Sequence, residues 1–158
     1  MQKITPYFWF DGNAEEAVAF YTSVFKNSKT VHVSRYSEAG PKPAGSVLTI
    51  QFAIEGQEFV ALNGGPHYKF TPAISLSVNC ETQAEIDELW EKLLAGGGQP
   101  MQCGWLTDKF GLSWQIVPGV LLDFMQDKDP AKARRTAEAM FKMVKLDIAT
   151  LKKAHAGT

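Results

Sequence analysis

The sequence predicts an α+β fold made of two β-α-β-β-β modules followed by C-terminal helices. Three observations carry this prediction: two stretches share one helix code, each follows an apolar strand, and each precedes shorter β-like runs. In "NAEEAVAFYTSVF", Ala17, Phe20, Tyr21 and Val24 fall at i, i+3, i+4 and i+7; in "TQAEIDELWEKLL", Ile86, Leu89, Trp90 and Leu93 fall at the same offsets. A common shift of 69 residues relates the stripes and also their caps, Asn13 with Glu16 and Thr82 with Glu85, each spaced as a capping box. This is a repeat of a whole supersecondary unit.

In chain order, the first strand is "ITPYFWF", and after the first helix come "TVHVSRY", "VLTIQFAI" and "EFVALN". The stretches "EAGPKPAG", "EGQ" and "NGGP" supply the turns between and after them. The second module opens on "AISLSVN" and, after its helix and the "AGGGQP" turn, continues with a short "QPMQC", then "WLTD" and "SWQIVP", with "KFG" as the last turn. Residues 1–129 form a single domain on this reading, with one module over about 1–68 and the other over about 69–129. Residues 130–158 make a helical extension. Asp129-Pro130 starts it with a side-chain cap and a proline at the first helical position. The stripe Ala137, Met140, Phe141 and Val144 gives it an apolar face, and Asp147 caps a shorter helix carrying Ile148 and Leu151. The extension has to dock either on the back of the sheet or on a second subunit.

Composition narrows the function classes. The chain has 158 residues, 45% of them hydrophobic and 21% charged, with a net charge of −1. That is enough to bury a core. The balance gives no electrostatic case for nucleic acid, and the basic runs at Lys132–Arg135 and Lys152-Lys153 describe a solvated helix surface. No stretch approaches a membrane-spanning length, and Cys80 and Cys103 lie outside any C-x-x-C pattern. A cytoplasmic protein with free thiols is the expectation.

Strand alternation sorts residues by face. Ile74, Leu76 and Val78 are expected beneath the second helix, as are Trp114 and Ile116, while Leu48, Ile50, Phe52 and Ile54 are expected beneath the first. The open faces then carry Thr49, Gln51, Ser75, Ser77, Ser113 and Gln115. These groups are neutral hydrogen-bonders rather than the Lys and Glu of a solvated face. The two modules side by side are expected to form a curved mixed sheet around one concave cavity, which a small polar molecule would enter. Trp105 is expected to form a wall of it and Asn63 to lie at its edge, although a core tryptophan and a turn asparagine are the plainer alternatives. Asp108 and Lys109 build the turn before Gly111.

The stretches "FYTSVF", "ALNGGP", "VNCETQAEIDELWEKL", "QCGWLTDKFGLSWQIVP" and "DPAKARRTAEAMFKMVKLDIATL" resemble the PhnB-like branch of the vicinal oxygen chelate superfamily, the glyoxalase and bleomycin-resistance fold. That branch is often described as a demethylubiquinone methyltransferase domain. The resemblance implies the tandem-module fold, a homodimer, and in the superfamily's enzymes a divalent ion held by His and Glu on the first and last strands of each module. Matched by hand on "FYTSVF", those positions fall at Pro6, Ala61, Ala73 and Gln115. Only Gln115 offers a side-chain oxygen, and one neutral oxygen does not hold a transition metal. No cofactor is expected. A Rossmann-type methyltransferase needs a glycine-rich turn between a strand and a helix, and neither "AGGGQP" nor "NGGP" occupies that place. Three functions remain open: a metal-free small-molecule-binding protein, a divalent-metal-dependent lyase, isomerase or dioxygenase, and a dimeric interaction module with a vestigial cavity. The candidate ligand-binding residues are Gln115, Trp105, Gln51, Thr49, Ser75, Ser77 and Asn63.

Overall fold

The protein is described by a computed structural model covering residues 2–158. The chain divides into two compact units, one ending at Phe70 and the other beginning at Thr71 and including the C-terminal helices. The first unit contains β1 (Tyr7–Phe10), α1 (Ala14–Val24), β2 (Ser28–Arg35), β3 (Val47–Ile54) and β4 (Gln57–Asn63). Its sheet has the order β1-β4-β3-β2, with β1 parallel to β4 and the other pairs antiparallel. The turn between β3 and β4 is Glu55-Gly56, both at positive φ (48° and 79°), the sense of turn that matches strand twist in a two-residue hairpin.

α1 lies on one face of this sheet. Phe8 is in register with Ala61 and Phe52 with Phe59, and Tyr21 of α1 stacks on Phe52 with ring centroids 6.2 Å apart. Ala14 and Ala17, fully buried, let the helix approach closely. The expected cap at Asn13 does not form; its side chain makes no capping hydrogen bond. Asn63, from the end of β4, takes over the role. Its Oδ1 accepts from the Ala14 N–H at 2.9 Å, and its Nδ2 donates to Glu15 Oε1 at 2.7 Å and to the Val47 carbonyl at 3.1 Å. The amide expected at a ligand cavity is therefore buried and committed to the start of a helix.

The second unit contains β5 (Ser75–Cys80), α2 (Gln83–Leu94), β6 (Gln99–Pro100), β7 (Trp105–Thr107), β8 (Ser113–Pro118), α3 (Val120–Met125), α4 (Pro130–Met140) and α5 (Ile148–Ala156). The order β5-β8-β7-β6, with β5 parallel to β8, repeats the plan of the first unit. Two four-stranded mixed sheets, one per module, thus realise the α+β fold. Thr82 caps α2 as expected, accepting from the Glu85 N–H at 3.2 Å, and the Glu85 carboxylate accepts from the Glu81 N–H at 2.8 Å. Ile86, Leu89 and Leu93 of α2 are buried, as are Leu106, Trp114 and Ile116 on the strands. Ile74 departs from expectation: it is 72% exposed, because β5 pairs with β8 only from Ser75 onward. Asp108 organises the β7–β8 turn. Its Oδ1 accepts from the N–H groups of Phe110 (2.8 Å) and Leu112 (3.1 Å), and its Oδ2 accepts from the Trp114 indole at 2.9 Å.

The C-terminal arm docks on its own unit. Asp129 caps α4 through the Ala131 N–H (2.9 Å) with Pro130 in the first turn, and Asp147 caps α5 through the Thr150 N–H (2.7 Å). Leu146 and Leu151 are fully buried with Leu121 of α3, against Val117, Met125, Met140 and Met143. α4 stops at Met140, which ends the expected stripe: Phe141 is 66% and Val144 41% exposed. The carbonyls of Met143 and Val144 instead accept from the Cys103 and Gly104 N–H groups at 2.9 and 2.7 Å. The chain end is pinned rather than frayed. His155 stacks on Phe124 at 4.2 Å and bonds Asp127 at 2.8 Å, while the Arg135 guanidinium donates to the carbonyls of Ala154 (3.0 Å) and His155 (2.9 Å).

Two predictions follow from these contacts. Asn63→Ala leaves the buried Ala14 N–H and Val47 carbonyl without this partner and is expected to cost about 2 kcal/mol, read as a lower urea midpoint at unchanged slope. The second concerns three carboxyls around the arm, each held below the ordinary aspartate value. Asp87 is lowered chiefly by its hydrogen bond to Lys145, Asp127 by the Asp129 backbone N–H and then His155, and Asp147 by the Thr150 hydroxyl and N–H. A depressed folded-state pKa gives stability that is present above the unfolded value, about 3.9, and lost as pH falls through the folded one. Acidification below about pH 3.9 is therefore expected to loosen the arm before the sheets, seen as early movement of the Leu146 and Leu151 methyl resonances.

Candidate functional site

The second unit holds a cavity of about 630 Å³ on the sheet face opposite α2. Trp105 and Gln115, cross-strand partners on β7 and β8, form its floor with Val117. Met101, Gln102 and Cys103 line one side from the β6–β7 turn. Leu121, Met140 and Phe141 form the opposite wall from α3 and the end of α4. Alternation explains the floor: Trp114 and Ile116 point beneath α2, so Gln115 and Val117 must point the other way.

The turn at Gln102–Trp105 sets the geometry. Cys103 and Gly104 have φ of 59° and 82°, and the Trp105 N–H returns to the Gln102 carbonyl at 3.1 Å. A Cβ on Gly104 would lie 2.9 Å from both the Ile116 carbonyl and Leu146 Cδ1, so only glycine fits there. This turn presents the two N–H groups that hold Met143 and Val144 of the arm.

Gln115 is the central polar group. Its Nε2 donates to Ser75 Oγ at 2.9 Å, and the other end of the amide has no hydrogen-bond partner among the described residues. Gln102 is the second amide on the lining, and the other lining side chains are apolar or sulfur-bearing. The cavity is thus more apolar than the strand pattern suggested, because the arm lays Leu121, Met140 and Phe141 over a face expected to be open. Alternation alone carries no information about that cover. The nearest signal was the apolar stripe through Met140 and Phe141.

The expected site residues separate. Gln115 and Trp105 line this cavity, Ser75 supports Gln115 from behind, and Ser77 is exposed. Thr49 and Gln51 belong to the other unit, where Thr49 bonds Ser34 and the Gln51 amide donates to Glu58 at 3.2 Å. Glu58 is half-buried in this arrangement. Ser113 is fully buried, and its hydroxyl has no partner among the described residues. Cys80 is buried at the end of β5; burial, and then Glu85, push its thiol up to about 12, so it stays protonated at neutral pH.

The donor set at the superfamily's metal positions does not suit a divalent ion. Ala61 is in register with Phe8 on the face beneath α1, so the hand-matched pair Pro6 and Ala61 is one residue out of phase with the open face. The open-face positions there are Tyr7 and Trp9 on β1 and Glu58, Val60 and Leu62 on β4, and in the second unit Ser75, Ser77, Ser113 and Gln115; Glu58 is the one carboxylate among them and accepts from the Gln51 amide. Among the described residues no three His, Cys, Asp or Glu side chains gather as a metal site. The glycine pairs are likewise structural. The N–H groups of Gly64 and Gly65 donate to the Phe10 carbonyl (3.0 and 3.3 Å), and a Cβ on Gly64 would fall 2.3 Å from the Trp9 ring. Gly96, Gly97 and Gly98 follow α2 rather than leading into a helix.

The two β-α-β-β-β units with this strand order define a protein of the vicinal oxygen chelate fold. The family model described as 3-demethylubiquinone-9 3-methyltransferase matches residues 2–117, and the chain belongs to that family, the PhnB-like branch of the fold. A PhnB protein from Bacillus cereus, assigned as a 3-demethylubiquinone-9 3-methyltransferase, is 42% identical over 75% of this chain and 100% of its own, with a TM-score of 0.67. Protein PA1353 from Pseudomonas aeruginosa is 22% identical over 72% of this chain and 95% of its own (TM-score 0.58). The fosfomycin resistance protein FosX from Listeria monocytogenes, solved with Mn(II) and sulfate, is 16% identical over 80% of this chain and 98% of its own (TM-score 0.55). These last two show the fold alone. The search of curated proteins gave no match. The matched segment ends at Val117, so the arm lies outside it. No helix among the described residues is long and apolar enough to cross a membrane.

Proposed function

We propose that the chain binds a small, largely apolar molecule with one hydrogen-bonding group in the cavity of its second unit, without a metal. One observation carries this reading: an apolar cavity of about 630 Å³ contains a fixed amide, Gln115, with one end still free to bond. That volume lies in the range of small-molecule sites, and an apolar lining with a few placed polar groups is their usual character. Ser75 holds the amide in place, so little ordering remains to be done when a ligand arrives. A ring bearing a hydroxyl or carbonyl, the chemistry named in the family's description, fits this pattern as a ligand. Apart from the Cys103 thiol, the lining has no side chain that moves a proton, which favours binding over acid–base catalysis.

The test pairs 1-naphthol with 1-methylnaphthalene, which differ by the hydrogen-bonding group. The wild type is expected to prefer 1-naphthol by about tenfold and Gln115→Leu to lose that preference, with thermal stability nearly unchanged. Equal affinities for the two probes in the wild type, or no binding of either, would remove this reading. A loss of several kcal/mol of stability in Gln115→Leu would mark the amide as structural instead.

We further propose that the protein works in the cytoplasm as a homodimer. Phe141, Val144 and Leu122 leave apolar surface exposed on the second unit, and Tyr7, Val31 and Val33 do so on the first. Sedimentation equilibrium is expected to give twice the 17.4 kDa chain mass, and a single-chain mass at micromolar concentration would refute the dimer.

A further inference from the structure

Three residues lining the cavity carry sulfur: Met101, Cys103 and Met140. All three are half-buried, so solvent and small solutes reach them. Met125 and Met143 do not line the cavity; they pack on the cluster of Leu121, Leu146 and Leu151. Met140 touches that cluster as well, and in addition it reaches the cavity.

The backbone brings these three residues together from two segments. Met101 and Cys103 stand two residues apart in the β6–β7 turn, where the Met101 N–H donates to the Trp105 carbonyl at 2.8 Å. Two backbone hydrogen bonds link Cys103 to Met140. The Cys103 N–H donates to the Met143 carbonyl at 2.9 Å, and the Met143 N–H donates to the Met140 carbonyl at 3.0 Å. One short side chain thus sits on a fixed turn between two long ones. Methionine is unbranched, with three rotatable bonds, and adapts its sulfur position at little cost.

The chemistry of the donors narrows the ligand. Thiolate and thioether sulfurs are soft, and the lining offers no imidazole or carboxylate for a harder ion. Charge narrows it further. With no carboxylate, imidazole, amine or guanidinium on the lining, the Cys103 thiolate is the one charge that balances a bound cation. A monovalent ion on that thiolate makes a neutral centre, whereas a divalent ion leaves a net positive charge against apolar walls. Binding replaces the S–H bond by a metal–sulfur bond and releases the proton to solvent, with no change of oxidation state.

We propose that Met101, Cys103 and Met140 form a three-sulfur site for a soft monovalent cation of the copper(I) kind. None of the three occupies one of the superfamily's metal positions. The site does not rest on the binding reading, whose apolar ligand needs no ion to hold it.

The experiment titrates copper(I) anaerobically into the full chain against bicinchoninate, whose coloured complex reports the copper it retains. The wild type is expected to take one equivalent from the chelator, and Cys103→Ser to take none. Met101→Leu and Met140→Leu conserve volume and are each expected to weaken the affinity about tenfold, with Met125→Leu unchanged. The ε-methyl resonances of Met101 and Met140 should shift at one equivalent while those of Met125 and Met143 stay in place. Wild-type affinity in both cavity methionine variants would show copper on a lone thiol and overturn the site. Copper retained by Cys103→Ser, or none taken by the wild type, would overturn it as well. Should Cys103→Ser fail to fold, the two methionine variants still decide. No apolar ligand enters these measurements, so their failure and the failure of 1-naphthol to bind are separate results.

Discussion

The second unit depends on a four-residue turn, Gln102 to Trp105, whose two central N–H groups point outward to the arm. Every buried backbone donor needs an acceptor, and an edge of a sheet offers donors that must be covered or solvated. Here the donors of Cys103 and Gly104 meet the Met143 and Val144 carbonyls, in the segment between α4 and α5 where no helix supplies a partner. One exchange satisfies both sets of groups. It also fixes where the arm lies, and hence that Met140 and Phe141 stand opposite Trp105 and Gln115. The positive φ at Cys103, a residue with a Cβ, is sustained because the docking over-determines the turn.

The family resemblance and the cavity overlap only in part. The matched segment contains the floor and the turn, whereas Leu121, Met140 and Phe141 come from residues outside it. Membership of the family therefore accounts for the sheet and for the placing of Gln115, but not for the apolar wall that gives the cavity its character. The family's description names an activity on a quinone-type ring. The proposed ligand rests instead on what is local: the Trp105 ring on the floor, sulfur and hydrocarbon on the sides, and the amides of Gln115 and Gln102.

Features encoded within a few residues were legible in the sequence. Thr82, Asp129 and Asp147 cap helices through contacts that span two or three residues, and Glu55-Gly56 makes its hairpin turn by backbone preference alone. The repeat of 69 residues was legible because two helices must bury the same stripe. Features that depend on long-range partners were not. Asn13 has the right identity for a cap but makes no capping bond, and Asn63, distant in sequence, accepts from the Ala14 N–H of the first turn instead. Ile74 fits the alternation, but the ladder begins one residue later. Phe141 and Val144 fit the helical stripe, but the Cys103–Gly104 turn competes for the backbone and ends the helix early. α3, only six residues long, has too little periodicity to announce itself. At the site, Gln115 and Trp105 were legible from strand parity, while Thr49, Gln51 and Asn63 were drawn in by the same rule without knowledge of which unit each serves.

The distribution of perturbed titrations bears on what the cavity does. Active sites that move protons tend to shift the pKa values of their own acids and bases, through burial and nearby charge. In this chain Asp87, Asp127 and Asp147 are shifted, and all three hold the arm or cap it; Cys80 is shifted by burial at the end of β5. None of the four lines the cavity. Their electrostatic work is spent on holding the wall in place, and the cavity beside that wall has a mostly apolar lining with two amides, Gln102 and Gln115. On the binding reading proposed above, such a lining discriminates between molecules by fit and by the cost of leaving an amide unpaired.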